Sequence, residues 1–241
     1  MFKLPHLIFM LFTLLTVPLF AKYLKQKSEE ALHLFMKRMT IVVLCFDPMY
    51  WFWEYRSFGH FNLSTTLPLY ICSLFWIVLP FAVHAKSPII RQLAKANISS
   101  VVLLGGILGL VFNTHLDAHP FLSFVPMRSL IYHYLMIAIS VSFWVTGYYQ
   151  PQAKDSKLCL IPLFLLLIPC VALSYIYGWD YAFTGGGIGT PLEALSRIMS
   201  RPAYLFILYG TGILVIQLFY KGMYHLFYAL DMLFCTPLTM L

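Results

Sequence analysis

LCLIPLFLLLIPCVALSYIYG, running from Leu158 to Gly178, holds 21 residues without one charge. As a helix it rises about 30 Å, the thickness of a bilayer's hydrocarbon core. Lys157 stands before it and Asp180 just after it, so the charges lie where water begins. Six further stretches read the same way: 4–24, 36–56, 67–85, 98–114, 128–149 and 202–226. The expected fold is therefore all-α, a polytopic transmembrane helical bundle of about seven spans. Those spans cover most of the chain, so 1–241 forms a single integral membrane domain.

The composition excludes a soluble protein. Hydrophobic residues make up 61% and charged ones 10%, against roughly 45–50% and about 25% in soluble domains. A chain of this length has no interior large enough to hide the excess. The net charge of +7 is spread over the connections, and a nucleic-acid site would need a clustered basic face. The expected partners are membrane lipids, with no nucleic acid, and the expected location is the cell membrane.

The first apolar stretch follows Lys3 and ends at Leu19-Phe20-Ala21. Pro18 occupies the place where a secretion signal carries a small residue before cleavage, so this stretch reads as a retained first helix. Lys and Arg set the orientation. Eleven of them fall in the connections after the first, third and fifth spans and after the seventh, including Lys22, Lys37, Arg91, Lys95 and Lys157. Five fall on the other side: Lys3, Arg56, Arg128, Arg197 and Arg201. The N-terminus is expected outside and the C-terminus in the cytoplasm.

This topology gathers reactive and amphipathic residues at the outer mouth. Cys72 in Leu67-Pro68-Leu69-Tyr70-Ile71-Cys72 lies five residues into the third span, and His133 lies five residues into the fifth. On ideal helices both sit about 7–8 Å deep. Trp51, Trp53, Tyr55 and Trp179 also fit an aromatic interface belt, and Arg56 and Arg201 also fit snorkelling to headgroups. Glu54, at a helix end, calls for a cation such as Arg56 or Arg201. Asp47 lies within the second span, where a charge costs about 2.5–3.5 kcal/mol on insertion scales. Asp47, Tyr50, Trp51 and Glu54 share one helical face, and Pro48 is expected to kink the helix.

Five cysteines, at 45, 72, 159, 170 and 235, form no Cys-x-x-Cys pair. No disulfide framework or structural zinc site is expected; Cys45, Cys159, Cys170 and Cys235 read as small packing residues. His115, Asp117 and His119 alternate in the loop before the fifth span without a further ligand, so neither a metal nor another cofactor is expected. Gly105 and Gly109 form a Gly-x-x-x-Gly pair suited to close helix packing. Gly185-Gly186-Gly187-Ile188-Gly189 lacks the Lys-Ser/Thr of a phosphate loop and reads as a flexible outer loop.

A thiol isolated in lipid keeps its proton and is inert; a neighbouring imidazole that takes the proton makes it a nucleophile. Such a pair can attack a lipid ester, hold the acyl chain as a thioester and pass it to a second acceptor. Packing for Cys72 and a helix–helix hydrogen bond for His133 are the alternatives that spacing leaves open.

Four short pieces carry a family resemblance: Trp53-Glu54-Tyr55-Arg56; Leu67-Pro68-Leu69-Tyr70-Ile71-Cys72; Tyr132-His133-Tyr134; and Asp180-Tyr181 followed by Arg201-Pro202-Ala203-Tyr204. In these the chain resembles the YwaF-like integral membrane family, which includes transmembrane protein 164, a cysteine-dependent phospholipid acyltransferase. The resemblance implies Cys72 as the acyl-accepting nucleophile and His133 as its base. Many members have histidine in place of Tyr70 and asparagine in place of Asp180, so this chain lacks one candidate base near the thiol. Glu54, Arg56, Tyr70, Asp180, Tyr181 and Arg201 are the expected substrate-binding residues, with the two guanidiniums suited to a phosphate. The expected function is phospholipid–lysophospholipid acyl transfer. A lipid hydrolase using the same pair, a transporter centred on Asp47 and a non-catalytic membrane protein are the rival readings.

Overall fold

The computed structural model describes residues 2–113 and 115–235, with side chains to residue 229. The expectation for Cys235 lies outside the described side chains. Every regular element among the described residues is a helix. The main ones are α1 (Leu4–Lys25), α2 (Glu29–Leu44), α3 (Phe46–Phe58), α4 (Ser73–His84), α5 (Pro88–Asn97), α6 (Leu103–Val111), α7 (Phe124–Val145), α8 (Ile161–Tyr177) and α9 (Arg201–Cys235). Five stretches are long and apolar enough to cross a membrane by length and composition: Leu4–Lys25, Pro88–Ala118, Phe124–Val145, Asp155–Tyr177 and Arg201–Ala229.

Two expected spans are not continuous helices, and proline explains both. The 36–56 stretch breaks at Cys45 into α2 and α3. Pro48 lies in the first turn of α3, where its missing N–H has no helical partner to lose. It therefore opens a new helix, where a kink within one helix was expected. In the 67–85 stretch, Leu67 is extended (ψ 144°) because the residue before a proline is pushed out of the helical region. Helix α4 starts only at Ser73 and has 12 residues, about 18 Å of rise. Cys72 is consequently its N-cap residue and does not lie inside a helix.

Helix α7 forms the centre of the bundle, with α1 on one flank and α6 on another. Leu130, Met136, Ile139 and Phe143 are fully buried along it. Gly106 permits the approach of α6, since a Cβ there would lie 2.9 Å from the Met136 Cβ. Between α5 and α6 a π turn spans Ile98–Val102. Helix α7 adds side-chain donors to two carbonyls of this turn: Ser140 Oγ to Ile98 O at 2.8 Å and Trp144 Nε1 to Ser99 O at 2.9 Å. The exterior is apolar, with Leu14, Ile168 and Phe206 each at least 66% exposed. Water does not tolerate such a surface over a whole bundle, but lipid does.

The bundle has two chemically distinct ends. At one, the basic connections meet. Asp155, fully buried, accepts from Gln92 Nε2 at 2.6 Å, the Tyr149 hydroxyl at 3.0 Å and the Gln152 N–H at 3.1 Å. His33 Nδ1 lies 2.8 Å from the Tyr148 hydroxyl, and Lys95 Nζ donates to the Tyr148 carbonyl at 2.5 Å. The other end carries Cys72, His133 and the polar residues around them. Cys45, Cys72, Cys159 and Cys170 are all free thiols. Cys159 and Cys170 pack in the core, whereas Cys45 faces outward and does not pack as expected.

Candidate functional site

A segment without long helices, 59–72, carries Cys72 and is fastened along its length. Gly59, at φ 75°, ends α3 in the left-handed conformation that glycine adopts freely. From α3, Trp51 Nε1 donates to the Thr66 carbonyl at 3.0 Å, and the Thr66 hydroxyl donates to the buried Glu54 carboxylate. From the other side, the Tyr181 hydroxyl donates to Leu63 O at 2.6 Å and accepts from Leu67 N at 2.8 Å. Burial pushes the Tyr181 phenol up to about 12, against the opposing pull of the Leu67 N–H. It therefore stays neutral and can both donate and accept. The Cys170 thiol donates to Leu69 O at 3.3 Å. Finally, the Tyr132 hydroxyl donates to the Cys72 carbonyl at 3.3 Å and accepts from Trp76 N at 3.1 Å. Residues with no helical hydrogen bonds of their own are thus satisfied by neighbours.

This segment closes one side of a cavity of about 690 Å³. Helix α3 contributes Asp47, Tyr50 and Glu54; the end of α6 contributes Gly109; α7 contributes Arg128, Ser129 and His133. Cys72 and Tyr70 lie on the same wall system. The volume falls in the range of pockets that enclose most of a small organic group.

His133 is buried at 9% exposure. Its Nδ1 lies 2.8 Å from the Ser129 carbonyl oxygen, which can only accept. Nδ1 therefore carries the hydrogen and Nε2 the lone pair. Ser129 Oγ lies 3.4 Å from the same nitrogen and accepts from Asn113 Nδ2 at 3.0 Å. Asn113 is buried, and its Oδ1 has no partner among the described residues. Cys72 and His133 border one cavity, but no hydrogen bond joins them among the described residues.

Asp47 finds its cation in Arg128, a residue the sequence marked only as a topological charge. Arg128 Nη2 lies 2.5 Å from Asp47 Oδ1, and its Nε donates to Phe46 O at 3.0 Å. The guanidinium also sits 4.9 Å from the centre of the Tyr50 ring. The signal was available: a carboxylate inside a span demands a positive partner, and Arg128 stands at the start of the fifth expected span.

The other expected binding residues divide. Glu54 and Tyr70 border the cavity, but Glu54 meets a hydroxyl where a guanidinium was expected, because Arg56 points away, exposed. Tyr70 packs edge-on against Tyr181, with ring centres 5.1 Å apart. Asp180 does not border the cavity. Its carboxylate gathers three amides of the glycine run: Gly185 N at 2.7 Å, Gly187 N at 3.2 Å and Ile188 N at 2.7 Å. The loop expected to be flexible is therefore wound around an internal anion. Arg201 is also spent away from the cavity, on the Ser174 hydroxyl, the Thr184 carbonyl at 3.3 Å and the Tyr175 face at 4.1 Å. His60, His115 and His119 line the cavity. Among the described residues, no three His, Cys, Asp or Glu side chains come together as a metal site.

A family model described as the TMEM164 family matches residues 1–223. No curated protein and no solved structure matches the chain.

Proposed function

This chain belongs to the TMEM164 family, and we propose that it transfers acyl chains between membrane phospholipids through a thioester at Cys72. The observation that carries the reading is a single cavity bordered by a free thiol and by an imidazole whose Nε2 holds the lone pair. Cys72 also stands at the N-terminus of α4, where the positive end of the helix dipole stabilises negative charge.

In the first step His133 Nε2 takes the thiol proton and the sulfur attacks the ester carbonyl of a phospholipid. The C–O bond breaks, the departing oxygen of the lysolipid receives the proton, and the acyl group stays on sulfur. In the second step the hydroxyl of another lysolipid gives its proton to Nε2 and attacks the thioester; the C–S bond breaks, and the proton on Nε2 passes to the released thiolate and restores the enzyme. Both steps need the sulfur, the reacting hydroxyl and Nε2 to come within hydrogen-bond reach once substrate fills the cavity. Glu54 and Tyr70, on the cavity wall, contribute to substrate binding. In this reading the chain crosses the cell membrane about seven times, with residues 36–56, in the later part of α2 and most of α3, forming one crossing. Its N-terminus lies outside, its C-terminus inside, and the cavity opens to the outer half.

The test is lysophospholipid acylation by Cys72→Ala protein that elutes as the wild type does in detergent. Transfer is expected to disappear, and unchanged turnover would remove the proposal. Release of free fatty acid from phospholipid alone, at the rate seen with lysolipid present, would replace transferase by hydrolase.

A further inference from the structure

We infer that Gly109 is the positioning residue for His133: the absence of a side chain on α6 creates the seat of the imidazole and fixes where its basic nitrogen lies. The inference rests on the reading of His133 as the base and assigns a residue that acts through it.

The geometry is specific to this glycine. A Cβ built on Gly109 would lie 2.1 Å from His133 Nε2, 2.3 Å from Cδ2 and 2.9 Å from Cε1. All three contacts fall inside any real carbon contact, so the ring occupies the volume a methyl would need. The ring is itself held by Nδ1–H on the Ser129 carbonyl at 2.8 Å. A methyl that displaces the ring would strain that bond. Ser129 is itself tied to Asn113 by the 3.0 Å bond to its hydroxyl, so the supporting edge is braced from the chain just beyond α6.

Neighbouring glycines meet different atoms. A methyl on Gly105 would touch only Met136 Cε, at 3.6 Å. A methyl on Gly106 would crowd Met136 Cβ at 2.9 Å and Ile137 Cγ1 at 3.1 Å, with no His133 side-chain atom among its nearest neighbours. The α6–α7 contact thus contains its own controls: one permissive glycine, one required for helix packing and one required for the histidine. Gly105 and Gly109 are the pair that the Gly-x-x-x-Gly spacing assigned to packing alone.

The experiment compares Gly105→Ala, Gly106→Ala, Gly109→Ala, His133→Ala and the double variant Gly109→Ala/His133→Ala. For each, the rate of lysophospholipid acylation is followed across pH together with the melting temperature in detergent. Gly109→Ala is expected to lower transfer about 100-fold, the order associated with a 1 Å misplacement of a reacting group, and to move the acidic limb of its pH profile. Gly106→Ala is expected to lower the melting temperature without moving that limb, and Gly105→Ala to change neither. In the double variant the truncated ring leaves room for the methyl, so both rate and melting temperature should equal those of His133→Ala. Transfer by Gly109→Ala within threefold of the wild type, beside an inactive His133→Ala, would overturn the inference while leaving the base assignment standing. A double variant that melts well below His133→Ala would also overturn it. Full transfer by His133→Ala would remove the base assignment and this inference with it.

Discussion

Replacing Arg128 by methionine should unbalance the cavity wall more than any other single change of charge. The guanidinium is held 2.5 Å from Asp47 Oδ1 and 3.0 Å from the Phe46 carbonyl. The side chains of the pair are only 20% and 13% exposed. Asp47 Oδ2 is already buried without a partner among the described residues, so the variant leaves a carboxylate with neither cation nor donor among them. Removing one member of a buried pair costs about 3–5 kcal/mol. The residual exposure places this case at about 3 kcal/mol, for a chain of this size a fall of about 6–12 °C in melting temperature. Combining it with Asp47→Asn removes the stranded charge and should recover about two-thirds of the loss. Arg128→Lys keeps the charge but loses the fork that reaches Phe46, and should fall between. The assay is retention of the monodisperse size-exclusion peak after heating in detergent, with the wild type, Arg128→Met, Asp47→Asn, their double variant and Arg128→Lys in parallel. An Arg128→Met protein within about 2 °C of the wild type, or a double variant as unstable as the summed singles, would refute the electrostatic account of Asp47.

Two further outcomes follow from the glycine loop and the basic end. Asp180→Ala strands the amides of Gly185, Gly187 and Ile188, so limited proteolysis in detergent should cut within 185–189 much faster. Asp180→Asn keeps one acceptor oxygen and should be cut at an intermediate rate; equal rates for all three would contradict the wound loop. Burial, and then the nearby Lys37, hold His33 below its usual value of 6.5. The unfolded chain then binds that proton more tightly, so this contribution is complete above about pH 6.5 and is lost as pH falls through the lower folded value. His33→Gln should flatten the acidic side of the melting-temperature profile, and an unchanged profile would contradict the assignment.

The helical membrane class was legible because uncharged runs such as 158–178 leave the backbone no other way to satisfy itself in lipid. The two ends were legible because lysines concentrate in alternate connections. The interruptions at Cys45 and Leu67 were harder to read. Pro48 and Pro68 were visible, but hydropathy averages across them, and only the local backbone shows that one starts a helix and the other delays one. Partners were harder still. Glu54 meets Thr66, 12 residues on, and Asp47 meets Arg128, 81 residues on; no spacing rule within a helix spans such distances. The Gly109 seat reads in sequence as ordinary helix packing, because the identity of the atom across the interface is a property of the fold.

The most direct test is the covalent state of residue 72. Wild-type protein is mixed with phospholipid carrying a labelled acyl chain, quenched in acid, digested and weighed. The Cys72 peptide should gain one acyl group, lose it to neutral hydroxylamine as a thioester does, and lose it to added lysophospholipid with matching growth of labelled phospholipid. Labelled product formed at full rate while the Cys72 peptide stays unmodified, or label carried by another residue, would contradict the account.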